Sequence, residues 1–289
     1  MDQAIQLLLS GLVVGSIYGL VAIGFTGVYN VTGIVNFAQG DFAMLGGMIA
    51  AGLWAQGVAL PLAILAGVAG AALASALLQR LGIRPLRGDL VAAVIVTIGA
   101  GIVFQGIAVV IWGTDAQTMP AFSGDKPLTI AGATIPMQTL WVIGTALLLV
   151  GLLTIFFQFT YAGRAFRACS VNPFAATLCG INGNTMATIA FILSGVLGAI
   201  AGIVSTPITL TNAEIGIPLA IKGFTACIVG GLGTASGAML GGVLLGIAEA
   251  FAAGYVSSGF KNAIVFVILL GFLAFRPTGI LGDLEKTVR

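Results

Sequence analysis

Between Tyr161 and Asn184 the chain reads YAGRAFRACSVNPFAATLCGINGN, a stretch whose residue types differ from the apolar sequence on either side. Arg164 and Arg167 come first. They follow a long apolar run, where basic residues suit both a helix C-terminus and the anionic inner leaflet of a membrane. Asn172 is a good N-cap, and Pro173 suits the first helical position. Phe174, Leu178 and Ile181 then recur at spacings near four and three. Gly180 can take the left-handed conformation that closes a helix. The pattern predicts one to two helical turns, capped at both ends, with an apolar ridge. It is too short to span a bilayer. Two readings fit it: a loop ornament whose ridge packs back onto its own protein, or a knob that fits a groove on a partner.

A second group of residues stands out because it is polar inside apolar sequence. Asn30, Thr32, Asn36, Gln39 and Asp41 lie in NVTGIVNFAQGD; Thr225, Thr234 and Ser236 lie in IGIPLAIKGFTACIVGGLGTASG. Both stretches mix Gly with polar side chains, the mark of interrupted membrane helices. Such breaks are tolerated only where protein or water covers the freed backbone groups. Here a small polar solute could exchange water for these side chains while crossing, or they satisfy one another between helices. Glu249 is the sharpest single residue. A charge at a helix centre costs about 2.5–3.5 kcal/mol on insertion scales, so it must face the interior and pair, or serve gating or a subunit contact. Asp41 is expected near the inner surface, and Lys222 and Glu214 outside and solvated.

The elements that must hold these residues follow from composition. The chain is 59% hydrophobic and 7% charged, against about 25% charged in soluble domains, and its mean hydropathy is +1.15. It cannot cover a water-facing surface, so lipid must solvate it. Apolar runs without strict alternation favour helices over barrel strands, and abundant glycine suits close helix contacts. The expected fold is an all-α integral membrane protein, a polytopic bundle of about eight transmembrane helices with interrupted or re-entrant segments, forming one membrane domain over 1–289. Spans are expected at 5–29, 42–57, 58–80, 91–113, 137–159, 187–206, 236–256 and 262–276. The start, MDQAIQ, has no positive n-region, so the first apolar run reads as a retained span.

Several chemistries are excluded. Histidine is absent, which removes His metal sites, His proton relays and Ser-His catalysis. Cys169, Cys179 and Cys227 have no metal-binding spacing and read as small packing residues. No basic tract suggests nucleic acid. A phosphate-binding loop needs GxxxxGK followed by Ser or Thr; GGLGTASG lacks the Lys, and no Gly-Lys pair occurs in the chain. No cofactor is expected in this chain.

Orientation comes from Lys and Arg. Arg80, Arg84 and Arg87, then Arg164 and Arg167, then Arg276, Lys286 and Arg289 hold eight of the eleven basic residues. With these inside, the N-terminus and Lys126, Lys222 and Lys261 lie outside. That parity requires Ile215–Gly237 to cross completely; a re-entrant dip would put the tail outside. The longest polar stretch, Thr114–Pro136, then lies outside as a structured cap, with a hairpin signal in LTIAGATI.

Four stretches, spread in order along the chain, resemble one family: GSIYGLVAIGFTGVYNVTGIVNFAQGDFAMLGG, GRAFRACSVNPFAATLCGINGNTMATIAFILSGVLGAIAGI, KGFTACIVGGLGTASGAMLGGVLLGIAEA and FRPTGILG. They look like permease subunits of ATP-binding-cassette importers for branched-chain amino acids. The chain departs from the family where it has Gln39 in place of a frequent His, and Val171 and Asn172 in place of acidic residues. The resemblance implies that the short cytoplasmic helix is a coupling helix seated in an ATPase subunit. The matched positions are Gly163, Arg164, Arg167, Asn172, Ala175, Ala176, Gly180 and Ile181, and Pro173 joins them as the first helical residue. It further implies two ATPase subunits carrying ATP-Mg, a second permease, homologous or identical, and an external solute-binding protein. The place is the bacterial inner membrane, and the solute a branched-chain or related amino acid, with urea, short amides or aromatic acids as alternatives. Asn30, Asn36, Gln39, Asp41, Thr225 and Glu249 are the pathway candidates. The rival is a stand-alone carrier in which Glu249 and Asp41 couple protons or sodium. An intramembrane enzyme comes third, lacking His and a Gly-x-Gly-Asp motif.

Overall fold

The computed structural model describes residues 2–86, 88–124, 127–130, 133–276 and 278–282. Arg87, Lys126, Lys286 and Arg289, used above for orientation, lie outside the described residues. The helices are α1 (Asp2–Thr32), α2 (Gln39–Ala55), α3 (Leu60–Leu77), α4 (Leu90–Trp112), α5 (Gln138–Phe159), α6 (Tyr161–Val171), α7 (Pro173–Leu178), α8 (Gly183–Thr209), α9 (Gly216–Gly230), α10 (Ala235–Tyr255) and α11 (Lys261–Phe275). The hairpin signal is an antiparallel pair, β1 (Pro127–Ile130) with β2 (Ala133–Pro136), in register from Pro127↔Pro136 to Ile130↔Ala133. Six helices, α1, α3, α4, α5, α8 and α10, are long and apolar enough to cross a membrane. Each of the eight expected spans falls on a helix, with α2 and α11 as the shorter ones.

Local chemistry sets the boundaries. Asp89 caps α4 by accepting from the Val91 and Ala92 amides, and Asn182 caps α8 through Asn184 and Thr185. Gly33, Gly113 and Gly231 take positive φ values just past α1, α4 and α9, where a Cβ would be strained. Past Leu77, α3 widens into a π-helical turn, Leu78–Ile83, and tightens into a 3₁₀ turn, Arg84–Leu86.

The centre of the bundle is α2, with 13 of its 17 residues buried. It packs on α3, α8 and α9. The most extensive contact is between α1 and α10, which run antiparallel. A Cβ on Gly11 would lie 2.7 Å from the Ile247 Cα, and one on Gly15 would lie 2.7 Å from the Val243 Cα. Gly242 and Gly246 face Gly19 and Gly15 from the other side. Outside this core, α3, α4 and α5 present long rows of exposed Leu, Ile and Val, the surface that lipid covers.

The two faces can be told apart. On one, Gln79 past the end of α3 accepts from Thr188 at the start of α8 at 2.8 Å; Arg80, Arg84, Arg164 and Arg167 lie in the segments on this side. On the other, the Thr114–Pro136 segment is tied down: Gln117 and Thr211 exchange backbone hydrogen bonds of 2.7 and 2.9 Å, and Gln138 donates to the Val204 carbonyl at 3.0 Å. The described residues of the segment form a structured cap, as expected. The parity question also has an answer. One end of α9 follows Thr211 on the capped face. Its other end meets the tail on the arginine face, where Ile280 and Leu281 amides donate to Val229 and Gly230 carbonyls at 2.9 and 3.0 Å. So Ile215–Gly237 crosses completely, as a continuous 15-residue helix with its break at Gly231–Thr234. It is not re-entrant.

The glycine seam generates a paired prediction. Gly15→Val drives a side chain into the α10 backbone and should destabilise the fold by about 2–3 kcal/mol. Gly99→Ala, at a position with nothing within 4 Å of the new atom, should leave it unchanged. Thermal unfolding of both variants in detergent, followed by size-exclusion chromatography, checks this.

Candidate functional site

The arginine face carries an elbow of two short helices. Thr160 turns the chain after α5: its hydroxyl donates to the Phe156 carbonyl at 2.6 Å and accepts from the Gly163 amide at 2.9 Å. A Cβ on Gly163 would strike the Phe156 carbonyl and lie 2.6 Å from the Phe157 Cα, so only Gly lets α6 lie against the end of α5. Along α6, Gly163, Phe166 and Cys169 face inward and Arg164 and Arg167 outward. Arg164 sits over the Tyr161 ring at 4.4 Å. Phe166 packs on Phe157, ring centroids 5.2 Å apart.

Next comes α7. Asn172 Oδ1 accepts from the Ala175 amide at 3.0 Å, and Pro173 is the first helical residue. At the far end Gly180 has φ +82°, and the Ile181 amide reaches back to the Ala176 carbonyl at 3.0 Å. These are the caps the sequence predicts. The ridge does not pack back onto the bundle. Phe174 and Leu178 are each 75% exposed, and Ala176 is the one buried residue of α7. Ala175 is exposed and Ile181 half-buried. Cys179 is exposed as well, whereas Cys169 and Cys227 are buried as packing residues; an exposed thiol at the foot of α7 corrects the expectation for all three.

Inside the bundle, the break between α1 and α2 is partly buried and several of its amides find partners. The Phe37 amide donates to Thr97 Oγ1 at 3.2 Å, the Ala38 amide to Asn36 Oδ1 at 3.2 Å, and the Gln39 amide to the Asn36 carbonyl at 3.1 Å. Gln39 Nε2 donates to the Ser194 carbonyl at 3.0 Å, and the Ser194 hydroxyl donates back to Gln39 Oε1. Asn36 Nδ2 is buried without a partner among the described residues. Asn30 donates to the Gly233 carbonyl at 2.9 Å, joining the first break to the second. Thr225 is buried with its hydroxyl on the Ile221 carbonyl of its own helix.

Asp41 does not lie solvated at the inner surface. It is 2% exposed, between α2, α4 and α9, and accepts from Gln105 Nε2 at 2.8 Å. Lys222 is not solvated either. Its Nζ lies 2.8 Å from Glu249 Oε1 and 3.0 Å from the Tyr18 hydroxyl, which donates to Glu249 Oε2 at 2.8 Å. The charge on α10 thus finds its partner one helix away on α9. Glu249 called for a partner from its sequence context; the identity of that partner had no sequence signal. Gln105, inside the apolar run of α4, was missed for the same reason: a lone Gln at helical spacing looks like any interhelical hydrogen bond.

A bundle of this kind, with polar breaks at its centre and an exposed apolar knob on its arginine face, has the make-up of a multi-pass membrane permease subunit. The chain belongs to the family described as branched-chain amino acid transport system, permease component, whose pattern matches residues 7–273. It is 36% identical, over 98% of its length and 97% of the relative's, to the high-affinity branched-chain amino acid transport system permease protein BraD of Pseudomonas aeruginosa. It is 34% identical, with the same two coverages, to the corresponding LivH protein of Escherichia coli. Among solved structures, PsaBC from Streptococcus pneumoniae in complex with Fab shares the fold, with a TM-score of 0.51 at 13% identity over 97% of this chain and 94% of that one. The protein is a transporter subunit and not an enzyme, and its family works with ATPase and binding-protein partners.

The buried triad gives a second prediction. Lys222→Met or Glu249→Gln alone strands one charge or its partner and should cost about 3–5 kcal/mol, while the double variant should recover most of that loss. Thermal unfolding of the three variants in one detergent closes the cycle.

Proposed function

We propose that the chain forms, with a second permease that is homologous or identical, the translocation path of an ATP-binding-cassette importer for branched-chain amino acids. An external binding protein delivers the solute, and two ATPase subunits, each carrying ATP-Mg, power the cycle. The relatives' substrate supports the solute class, and the inner membrane is its place.

The single observation that carries the reading is α7. Outside the membrane-spanning helices, a large apolar surface is costly unless something covers it. Yet Tyr161, Val171, Phe174 and Leu178 are all strongly exposed on the arginine face. Both ends of α7 are capped, so its ridge is pre-formed and loses little freedom on docking. This favours the knob over the loop ornament. Arg164, Arg167, Asn172, Pro173, Ala175, Ala176, Gly180 and Ile181 shape and flank the knob, and Gly163 fixes its arm to α5. A stand-alone carrier has no use for such a surface. Among the pathway candidates, Asn30, Asn36, Gln39 and Asp41 line the break at the centre of the bundle. Thr225 and Glu249 serve packing and the ion pair with Lys222.

Phe174→Ser with Leu178→Ser should leave the thermal stability of the chain unchanged, because neither side chain is buried. It should abolish co-purification of the ATPase subunits from native membranes and, with it, ATP-driven leucine uptake. Unchanged uptake in this variant would sink the reading.

A further inference from the structure

Helices α3 and α4 follow one another in the chain, yet they stand apart. α4 meets the bundle chiefly through α2, α9 and the π-helical turn Leu78–Ile83. The gap between α3 and α4 is an open groove of about 890 Å³. Its floor is Leu45 and Ile49 of α2, the central helix, and its walls include small residues, Gly70 and Ala74 on α3 and Gly99 and Ala100 on α4. A Cβ on Gly99 would meet nothing within 4 Å. The lining is apolar throughout and runs along α4 from Ile95 to Trp112. At the helical rise that is about 25 Å, against a hydrocarbon core of about 30 Å. A chain seated in this groove touches protein on three sides, and so gains contacts that a lipid on a convex helix face lacks.

The two ends of the groove differ in charge. Towards the arginine face its wall is Leu77, Leu81 and Gly82. Arg80 and Arg84 flank Leu81 and Gly82 in the chain; both are exposed, and neither joins an ion pair among the described residues. The turn that carries them is held in place. Leu78 and Ile83 are buried, and Gln79 accepts from Thr188 of α8 at 2.8 Å. A Cβ on Gly82 would lie 2.9 Å from the Val96 side chain of α4. Single π-helical turns of this kind recur at functional sites. The next acid in the chain, Asp89, directs its Oδ1 to the Val91 and Ala92 amides and not to the arginines. At the opposite end stands Trp112, the kind of ring that sits at headgroup level, and the next charge past it is an acid, Asp115.

We propose that the groove between α3 and α4 is a binding site for an anionic phospholipid of the inner leaflet, with an acyl chain laid over Leu45 and Ile49 and the phosphate held by Arg80 and Arg84. Basic residues between membrane helices on the cytoplasmic side suit anionic headgroups, and the planar guanidinium fork matches phosphate. A zwitterionic lipid offers the same chain but brings its own cation to the arginines. The bound lipid fills the gap and ties α4 to α3, a contact that the protein itself leaves open. The inference goes beyond the transport reading and does not depend on it: it needs only the bilayer, the groove and the arginine face on the inner side.

The test uses the chain purified from its native membrane with whatever subunits accompany it, then stripped of lipid by detergent exchange. Binding of dioleoyl phosphatidylglycerol and of dioleoyl phosphatidylcholine is measured by native mass spectrometry. The anionic lipid should bind about thirtyfold more tightly, at about fivefold for each arginine. Arg80→Gln with Arg84→Gln should erase that preference, and Arg80→Lys with Arg84→Lys should keep most of it. Gly99→Phe, whose ring enters the groove, should lower the binding of both lipids while leaving the unfolding temperature in lipid-free detergent unchanged. Equal binding of the two lipids by the parent, or a preference unchanged in the double glutamine variant, would overturn the proposal. Binding unchanged in a folded Gly99→Phe variant would overturn the groove as the seat of the chain. Glycerol 1-phosphate should not displace the lipid; displacement by it would reduce the site to a surface phosphate contact and overturn the lipid assignment. A Val103→Cys reporter in a Cys179→Ser background should stay monomeric on oxidation. A disulfide between two copies would overturn the proposal and give the groove to a second permease.

Discussion

Helices in a bilayer gain little by leaving lipid for one another, so a bundle is held where backbones can touch. In this protein that contact is the seam between α1 and α10. Gly11, Gly15 and Gly19 on one helix meet Gly242 and Gly246 on the other, with main-chain atoms on each side where side chains would otherwise stand. The seam fixes the antiparallel register of the two helices. Register in turn places Tyr18 beside Glu249 and Asn30 beside Gly233. A buried ion pair needs tight geometry to offset its desolvation, and a rigid seam supplies it. The Lys222–Glu249–Tyr18 triad therefore depends on glycines that never touch a charge.

The same solvent imposes the second constraint. Backbone groups inside a membrane must find partners, and residues 33–38 have left the helix. Side chains replace the lost helical bonds: Thr32, Asn36 and Thr97 accept from the amides of Ile34, Ala38 and Phe37. The polarity of NVTGIVNFAQGD is thus partly structural. What remains after this accounting is more informative. Asn36 Nδ2 is left buried without a partner among the described residues, and the Asp41 carboxylate is served by Gln105 of α4. The second break is handled differently. The tail residues Ile280 and Leu281 cap the open end of α9, and Gly279 can lie there because a Cβ would meet the Gly231 amide. Gly279, Ile280 and Leu281 are a clip on α9.

How much of this could be read from the residues varies with the physics involved. Features set by local chemistry were legible: the eight expected spans, the β1–β2 hairpin, and the caps of α7 at Asn172 and Gly180. Such features depend on neighbours in sequence, through hydrophobic run length, capping side chains and the freedom of glycine. Features set by distant pairing were not. Lys222 in IKGF looks like a lysine at a membrane edge, and nothing near it in sequence names Glu249. Asp41 is the last residue of the polar stretch NVTGIVNFAQGD and looks solvated, yet α4 and α9 close over it. The exposure of Cys179 was hidden for the converse reason: burial statistics favour the interior, and α7 projects away from it. The role of Phe174 and Leu178 lies between these cases. Their spacing gave the ridge, but only the three-dimensional arrangement shows which way it points.

The elbow has a mechanical consequence that follows from which contacts are stiff. Between α7 and the bundle stands α6, held to α5 by the Thr160 hydroxyl bonds, the Gly163 backbone contact and the Phe157–Phe166 pair. Packed interiors transmit displacement because they have little free volume. Beneath Phe166, however, lies a small cavity of about 30 Å³ bordered by Gly27, Asn30, Leu153, Ser194 and Ala235. A load on α7 therefore meets a stiff arm and a soft seat. The seat is bordered by the residue that joins the two breaks, Asn30, and by the partner of Gln39, Ser194. Displacing Phe166 into that cavity would act first on the single Asn30–Gly233 bond and the two bonds between Ser194 and Gln39. The glycine seam, by contrast, resists along its length. The fold thus concentrates compliance at the arginine-face end of α1 and the middle of α8, and keeps the α1–α10 pair as the fixed frame.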